Sequence, residues 1–115
     1  MDIHFIKEKI SRTELQKIAN ERFGDMVKAV VDLHRQVIAL GGELHADEES
    51  ALIEQGSKHE DLWGINLYPR EQGESFLEFD SMINIRPALG NRTRGVEAVS
   101  TRAEIKKLVE ELVTD

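Results

Sequence analysis

The chain has 115 residues, 40% of them hydrophobic and 32% charged, and its 15 basic and 22 acidic side chains leave a net charge of -7. That length and apolar content suit one domain over residues 1–115 built on one core, and they argue against a disordered chain. The acidic balance disfavours non-specific nucleic-acid binding, which draws on basic surface. The absence of cysteine excludes disulfides, thiolate metal centres and cysteine nucleophiles. Apolar runs are only a few residues long, too short for a membrane span. Met1-Asp2-Ile3-His4 lacks the basic and apolar regions of a secretory leader, so the expected location is the cytoplasm.

In chain order, Ile3, Phe5 and Ile6 predict a short first strand. Ser11-Arg12-Thr13-Glu14 reads as a capping box, and Leu15, Ile18, Ala19 and Phe23 continue at helical spacing, so a first helix is expected over 12–23 with Gly24 as its stop. Residues 26–40 fit two patterns. Val27, Ala29, Val31 and Leu33 alternate with polar residues, whereas Ala29, Val30, Leu33, Val37 and Leu40 also fit a helical face; the β-branched content favours an antiparallel hairpin. Asp47 is placed to cap a second helix that ends at Gly56. Leu62–Tyr68 is the next strand, stopped by Pro69, and Phe76–Arg86 is expected to be the longest strand, stopped by Pro87. Residues 88–99 read as a polar loop. Thr101-Arg102-Ala103-Glu104 is a second capping box, ahead of Ile105, Leu108, Val109, Leu112 and Val113 on one helical face. The expected fold is therefore α+β: a mostly antiparallel sheet of about five strands with three helices on one face, in the order β-α-β-β-α-β-β-α. The first six elements match the ferredoxin-like order.

Three segments carry candidate chemistry. If Glu43-Leu44-His45-Ala46-Asp47 is extended, Glu43, His45 and Asp47 share a face, and two carboxylates with an imidazole suit a divalent metal; the same run also reads as a polar linker before a helix. On the strand expected at 77–86, Glu78 and Asp80 lie on the polar face, with Asn66 and Tyr68 nearby if the strand pairs with 62–68. They are candidate acid–base groups or metal ligands, and equally the solvent face of an antiparallel sheet. The run from Arg86 to Gly95 holds three arginines and no acid. Arg86, Asn91, Arg92 and Arg94 are candidate anion ligands, since guanidinium forks match carboxylate and phosphate oxygens; the structural reading pairs these arginines with acids of the same domain, notably in residues 43–61, or of a second copy.

Several runs, among them Glu21-Arg22-Phe23-Gly24-Asp25-Met26-Val27-Lys28-Ala29-Val30-Val31-Asp32, Gly42-Glu43-Leu44-His45-Ala46-Asp47, Asp61-Leu62-Trp63-Gly64-Ile65-Asn66-Leu67-Tyr68-Pro69 and Gly90-Asn91-Arg92-Thr93-Arg94-Gly95-Val96, make the chain similar to a small prokaryotic family catalogued as domain of unknown function 5674. The likeness spans nearly the whole chain and implies a free-standing prokaryotic cytoplasmic protein; it carries no assigned activity. Two functions follow from the residues themselves. One is a binding or interaction module, acting as a homodimer. The other is a small metal-assisted hydrolase for an anionic or phosphorylated substrate, in which Glu43, His45, Asp47, Glu78 and Asp80 supply ligands or acid–base groups and Arg92 and Arg94 hold the anion.

Overall fold

The alternating pattern of residues 26–40 folds as a hairpin in the computed structural model, which describes residues 2–115. The elements are β1 (His4–Ile6), β2 (Ile10–Ser11), α1 (Arg12–Asn20), β3 (Val27–Asp32), β4 (Val37–Leu40), α2 (His45–Glu54), β5 (Leu62–Leu67), β6 (Leu77–Glu78), α3 (Val99–Leu112) and β7 (Val113–Thr114). Short 3-10 turns occupy His59–Asp61, Gly73–Ser75, Met82–Asn84 and Pro87–Leu89. Five strands form one sheet in the order β1-β4-β3-β5-β6, and every pairing in it is antiparallel. β2 and β7 form a separate parallel pair. The α+β class, the antiparallel sheet and the three helices are as expected. The ferredoxin-like arrangement does not form: it needs a split βαβ unit with parallel strands, and β1 instead runs antiparallel beside β4.

The helices lie on both faces, not on one. Val27, Ala29, Val31, Ile38, Leu40, Ile65 and Leu67 pack with Leu15, Ile18 and Ala19 of α1 and with Ile105, Leu108, Val109 and Leu112 of α3. On the opposite face Val30, Val37, Ala39 and Leu62 pack with Leu52 of α2, joined by Ile3 and Ile83. β4 is apolar on both sides and β3 adds Val30 to the second face, so each side has to be covered. The hairpin turn is tied down by Asp32, which is fully buried: its Oδ1 accepts from the backbone N–H groups of His34 and Arg35, both at 2.9 Å, and its Oδ2 accepts from the Ser57 hydroxyl at 2.6 Å.

Helix boundaries depart from the capping signals in instructive ways. Ser11 does cap α1, accepting from the Glu14 N–H at 3.1 Å, and Gly24 (φ +85°) follows it, its N–H donating to the Ala19 carbonyl. α1 itself stops at Asn20. α2 begins at His45, before Asp47, and α3 at Val99, before Thr101; neither has a side-chain cap. Arg102 instead holds the entry to α3, with Nη1 donating to the Val96 carbonyl at 2.6 Å and to the Glu97 carbonyl at 3.2 Å.

The expected long strand at 76–86 is the main correction. Only Leu77–Glu78 is strand, opposite Leu67 and Asn66. Beyond it, the side chain of Asn84 takes the place of a strand partner: Gly64 N–H donates to its Oδ1 at 2.8 Å, and its Nδ2 donates to the Gly64 carbonyl at 2.9 Å. Ser81 packs directly on Gly64, where a Cβ would sit 2.6 Å from the Ser81 Cβ and 2.5 Å from its hydroxyl. Gly64→Ala should therefore cost about 2 kcal/mol, in the range of overpacked core sites. The added variant Ser81→Gly should recover part of that loss in a double-mutant cycle read by urea unfolding. Additive losses would mean that the Gly64–Ser81 contact is not the constraint.

Candidate functional site

Strand register builds the site. Lys28 lies opposite Asn66, and Asn66 opposite Glu78, so one row crossing β3, β5 and β6 reads Lys, Asn, Glu on a single face. Tyr68 follows Asn66 by two residues and so joins the same face. This is the α2 side of the sheet. Its other end is the apolar patch of Val30, Val37, Ala39 and Leu62, so α2 covers a surface that changes from apolar to polar along its length.

The N-terminal turn of α2 lies over the polar end. His45 and Glu48, three residues apart on one helix face, are both buried. The His45 Nε2–H donates to the Ile65 carbonyl at 2.8 Å, which leaves Nδ1 with the lone pair of a neutral ring. Burial holds His45 below its ordinary range; the Ile65 bond opposes this, and the positive charge of Lys28 adds to it. Glu48 is fully buried, and burial pushes its carboxyl up to about 9 despite the hydrogen bond from Gly42 and the nearby Lys28 and Arg22. Its Oε2 accepts from Gly42 N–H at 2.8 Å, and its Oε1 has no partner. A Cβ on Gly42 would lie 2.8 Å from the Glu48 Cγ, so the glycine makes room for this carboxyl.

The outer layer is accessible. Glu78 Oε1 accepts from Asn66 Nδ2 at 2.9 Å and from the Tyr68 hydroxyl at 2.8 Å, which leaves Oε2 unpartnered. Desolvation, and then the bond to Glu78, push the Tyr68 phenol up to about 12, so it remains a donor at neutral pH. Asn66 Nδ2 also donates to the Asp80 carbonyl at 3.1 Å, while Asn66 Oδ1 is buried without a partner. Asp80 pairs with Arg94 at 2.6 Å. Glu78 and Tyr68 border an open cavity of about 540 Å³ whose other charged lining residues are Asp25, Arg70, Glu71 and Glu74.

The sequence candidates separate accordingly. Glu78 stands beside Asn66 and Tyr68, the pairing the sequence predicts, whereas Asp80 lies beyond the strand, meets Asn66 only through its backbone carbonyl and turns its carboxylate to Arg94. Glu43, His45 and Asp47 do not share a face, because residues 45–54 are helical: His45 points inward while Glu43 and Asp47 are exposed. Among the described residues no three His, Asp or Glu side chains converge as a metal-ligand set. Arg86 is buried; its Nη1 and Nη2 donate to the His59 and Leu62 carbonyls at 2.6 and 2.7 Å, and its guanidinium stacks 4.4 Å from the Trp63 ring centroid. Asn91 is buried too, with Nδ2 donating to the Asn84, Thr93 and Gly95 carbonyls. Arg92 is exposed, and its backbone N–H donates to the Glu97 carboxylate. The arginine-rich run thus divides into two residues that hold the loop together, one paired with Asp80, and one free side chain. Lys28 and Glu48 escaped sequence reasoning. The signal for Glu48 was its place in the series His45, Glu48, Leu52, a spacing that puts a carboxyl on the buried face of an otherwise ordinary helix.

The family model described as protein of unknown function (DUF5674) matches residues 4–112, and the chain belongs to that family. No curated protein and no solved structure matches it. No helix among the described residues is long and apolar enough to cross a membrane.

The buried carboxyl sets a pH dependence. With a folded-state value of about 9 against 4.5 for the free group, the folded chain keeps a proton that the unfolded chain releases, so stability falls as pH rises through that window. The slope reaches about 1.4 kcal/mol per pH unit. His45 acts oppositely and only below its ordinary value of 6.5, where the unfolded chain takes up a proton that the buried ring resists. Glu48→Gln should therefore flatten the decline in melting temperature between pH 6.5 and 9 and raise stability at the alkaline end. An unchanged slope would show that Glu48 is ionised in the fold.

Proposed function

We propose that the chain is a small-molecule-binding domain whose ligand presents an amine, amidinium or other N–H donor to Glu78. The observation that carries this reading is the state of that carboxylate. Two donors on one oxygen fix its orientation, and the free oxygen is left beside a cavity whose other charged groups are three carboxylates and one arginine. Such a site favours a cation with donors and rejects a phosphate. Agmatine serves as the probe. Titrated into labelled protein, it should shift the amides around Tyr68 and Glu78, and Glu78→Gln should weaken it roughly tenfold, the usual scale of a charge-assisted hydrogen bond. Shifts that are absent, or that are equal in the variant, would remove Glu78 as the anchor.

A second reading, a small hydrolase for anionic substrates, is supported by Lys28. It shares the row with Asn66 and has no carboxylate within ion-pair distance among the described residues, and it lies close enough to a neutral imidazole and a neutral carboxyl to influence both. Here His45 is the base and Glu48 the proton reservoir, with no metal triad behind them. Turnover in a screen of phosphate esters that survives Glu78→Gln but is lost in His45→Gln would support this reading over the first.

Self-association is part of the same binding proposal, in a cytoplasmic setting that suits a chain without cysteine. Met82, Ile85 and Leu89 lie exposed on successive tight turns, Met82 at 65% and Leu89 at 52%. Apolar side chains exposed on one loop in this way fit an isologous dimer. Sedimentation velocity should show a dimer that Leu89→Asp dissociates; a monomer at all concentrations would end this part of the proposal.

A further inference from the structure

A second cleft, of about 600 Å³, opens between α3 and the 73–79 segment. Leu77 faces it, since neighbouring residues of a strand point to opposite faces and Glu78 faces the site above. β6, only two residues long, is the edge of the sheet here, and α3 supplies the other wall of the cleft. Where the main core reaches this opening, Leu77, Phe79 and Val113 stay partly exposed, and Phe76 and Val109 continue the apolar floor inward.

Cations outnumber acids around the cleft, three to two, in a chain of net charge -7. Arg102 and Lys106 stand one turn apart on α3 and both line the cleft. Arg102 donates only to the backbone carbonyls of Val96 and Glu97, which leave its charge uncompensated. Lys106 has no ion-pair partner among the described residues. Arg12 bounds the cleft too, but it is already engaged: it stacks 4.0 Å from the Phe76 ring centroid, donates to the Pro69 and Glu71 carbonyls and pairs with Asp115 at 3.1 Å. Glu74 and Glu110 are the acids of the lining. An apolar floor of this volume beside two cations that make no ion pair among the described residues matches a small amphipathic anion.

We propose that this cleft binds a monocarboxylate with an apolar body, its carboxylate held by Arg102 and Lys106 and its chain laid on Leu77, Phe79 and Val109. The charge pattern chooses the head group, and the floor chooses the tail. A purely apolar ligand would leave the two cations unused, and an inorganic anion would leave the floor wet. The cleft adjoins the cavity at Glu78, with Glu74 and Leu77 lining both, but its cations and its floor are its own, and it does not depend on the reading of that cavity.

The test is an amide-shift titration of the full chain with octanoate, alongside octanol and agmatine. Octanoate should shift residues of α3 and of the 73–79 segment, with half-saturation on the order of 1 mM. Octanol should bind roughly tenfold more weakly for want of the charge-assisted contacts. Lys106→Glu, an exposed change with no contact to lose, should weaken octanoate roughly threefold or more without altering agmatine shifts. Octanoate shifts that are absent, that centre on Tyr68 and Glu78, or that are matched by octanol would each overturn the proposal. So would unchanged affinity in Lys106→Glu together with Arg102→Gln.

Discussion

Two hydrogen bonds between the Asn84 side chain and the backbone of Gly64, one donated each way, decide much of this molecule. They satisfy the N–H and the C=O of Gly64, which a longer β6 would otherwise have taken. Because a side chain does this work, the chain after Glu78 is released from the sheet and turns through Met82–Asn84 and Pro87–Leu89. Asn91 then fastens the return by donating to Asn84, Thr93 and Gly95. The released loop brings Arg94 back to Asp80, at the edge of the polar row, and the short β6 lies beside the cleft that α3 lines. Both candidate sites therefore border the segment where the strand gives way.

What was legible in the sequence was whatever depends on local pattern. The hairpin of β3 and β4, the strand from Leu62, the Ser11 cap and the apolar stripe of α3 all follow from spacing and β-branching. The pairing of Asn66 with Glu78 followed from the turn between two strand signals. The failure at 77–86 has a definite cause. The alternation of Leu77, Phe79, Ser81, Ile83 and Ile85 is present, but the partner that would have made it a strand is replaced by contacts between residues 64, 81 and 84, and such contacts leave no trace in a local period. The metal triad failed for a related reason: Glu43, His45 and Asp47 alternate in polarity, yet α2 begins at His45 without a capping side chain to announce it. In the arginine-rich loop, residue types were a poor guide because Arg86 and Asn91 are spent on backbone carbonyls, a role that depends on burial and not on composition.

The α2 face shows how one helix can serve two purposes. Leu52 closes an apolar patch, while a turn and more earlier His45 and Glu48 place ionisable groups in the same interface. Each stays neutral because burial disfavours its charged form. The neighbouring Lys28 favours a charged Glu48 and a neutral His45, so the two residues respond to the same cation in opposite senses. An interface of this kind is held by packing and only weakly by charge, and its polar atoms without partners mark where it is least satisfied.

The hairpin turn at Leu33–Gln36 has a different character. Asp32 is fully buried at its base and bonded to two backbone N–H groups, and through Ser57 it is joined to the segment that links α2 with β5. Arg35 reaches the same hydroxyl at 2.8 Å. A hairpin tip is ordinarily among the first places to fray, because few contacts hold it. Here the tip is clasped to a second chain segment 25 residues away, so it cannot open alone. Local opening of the turn has to draw the end of α2 with it, and the two behave as a single cooperative unit.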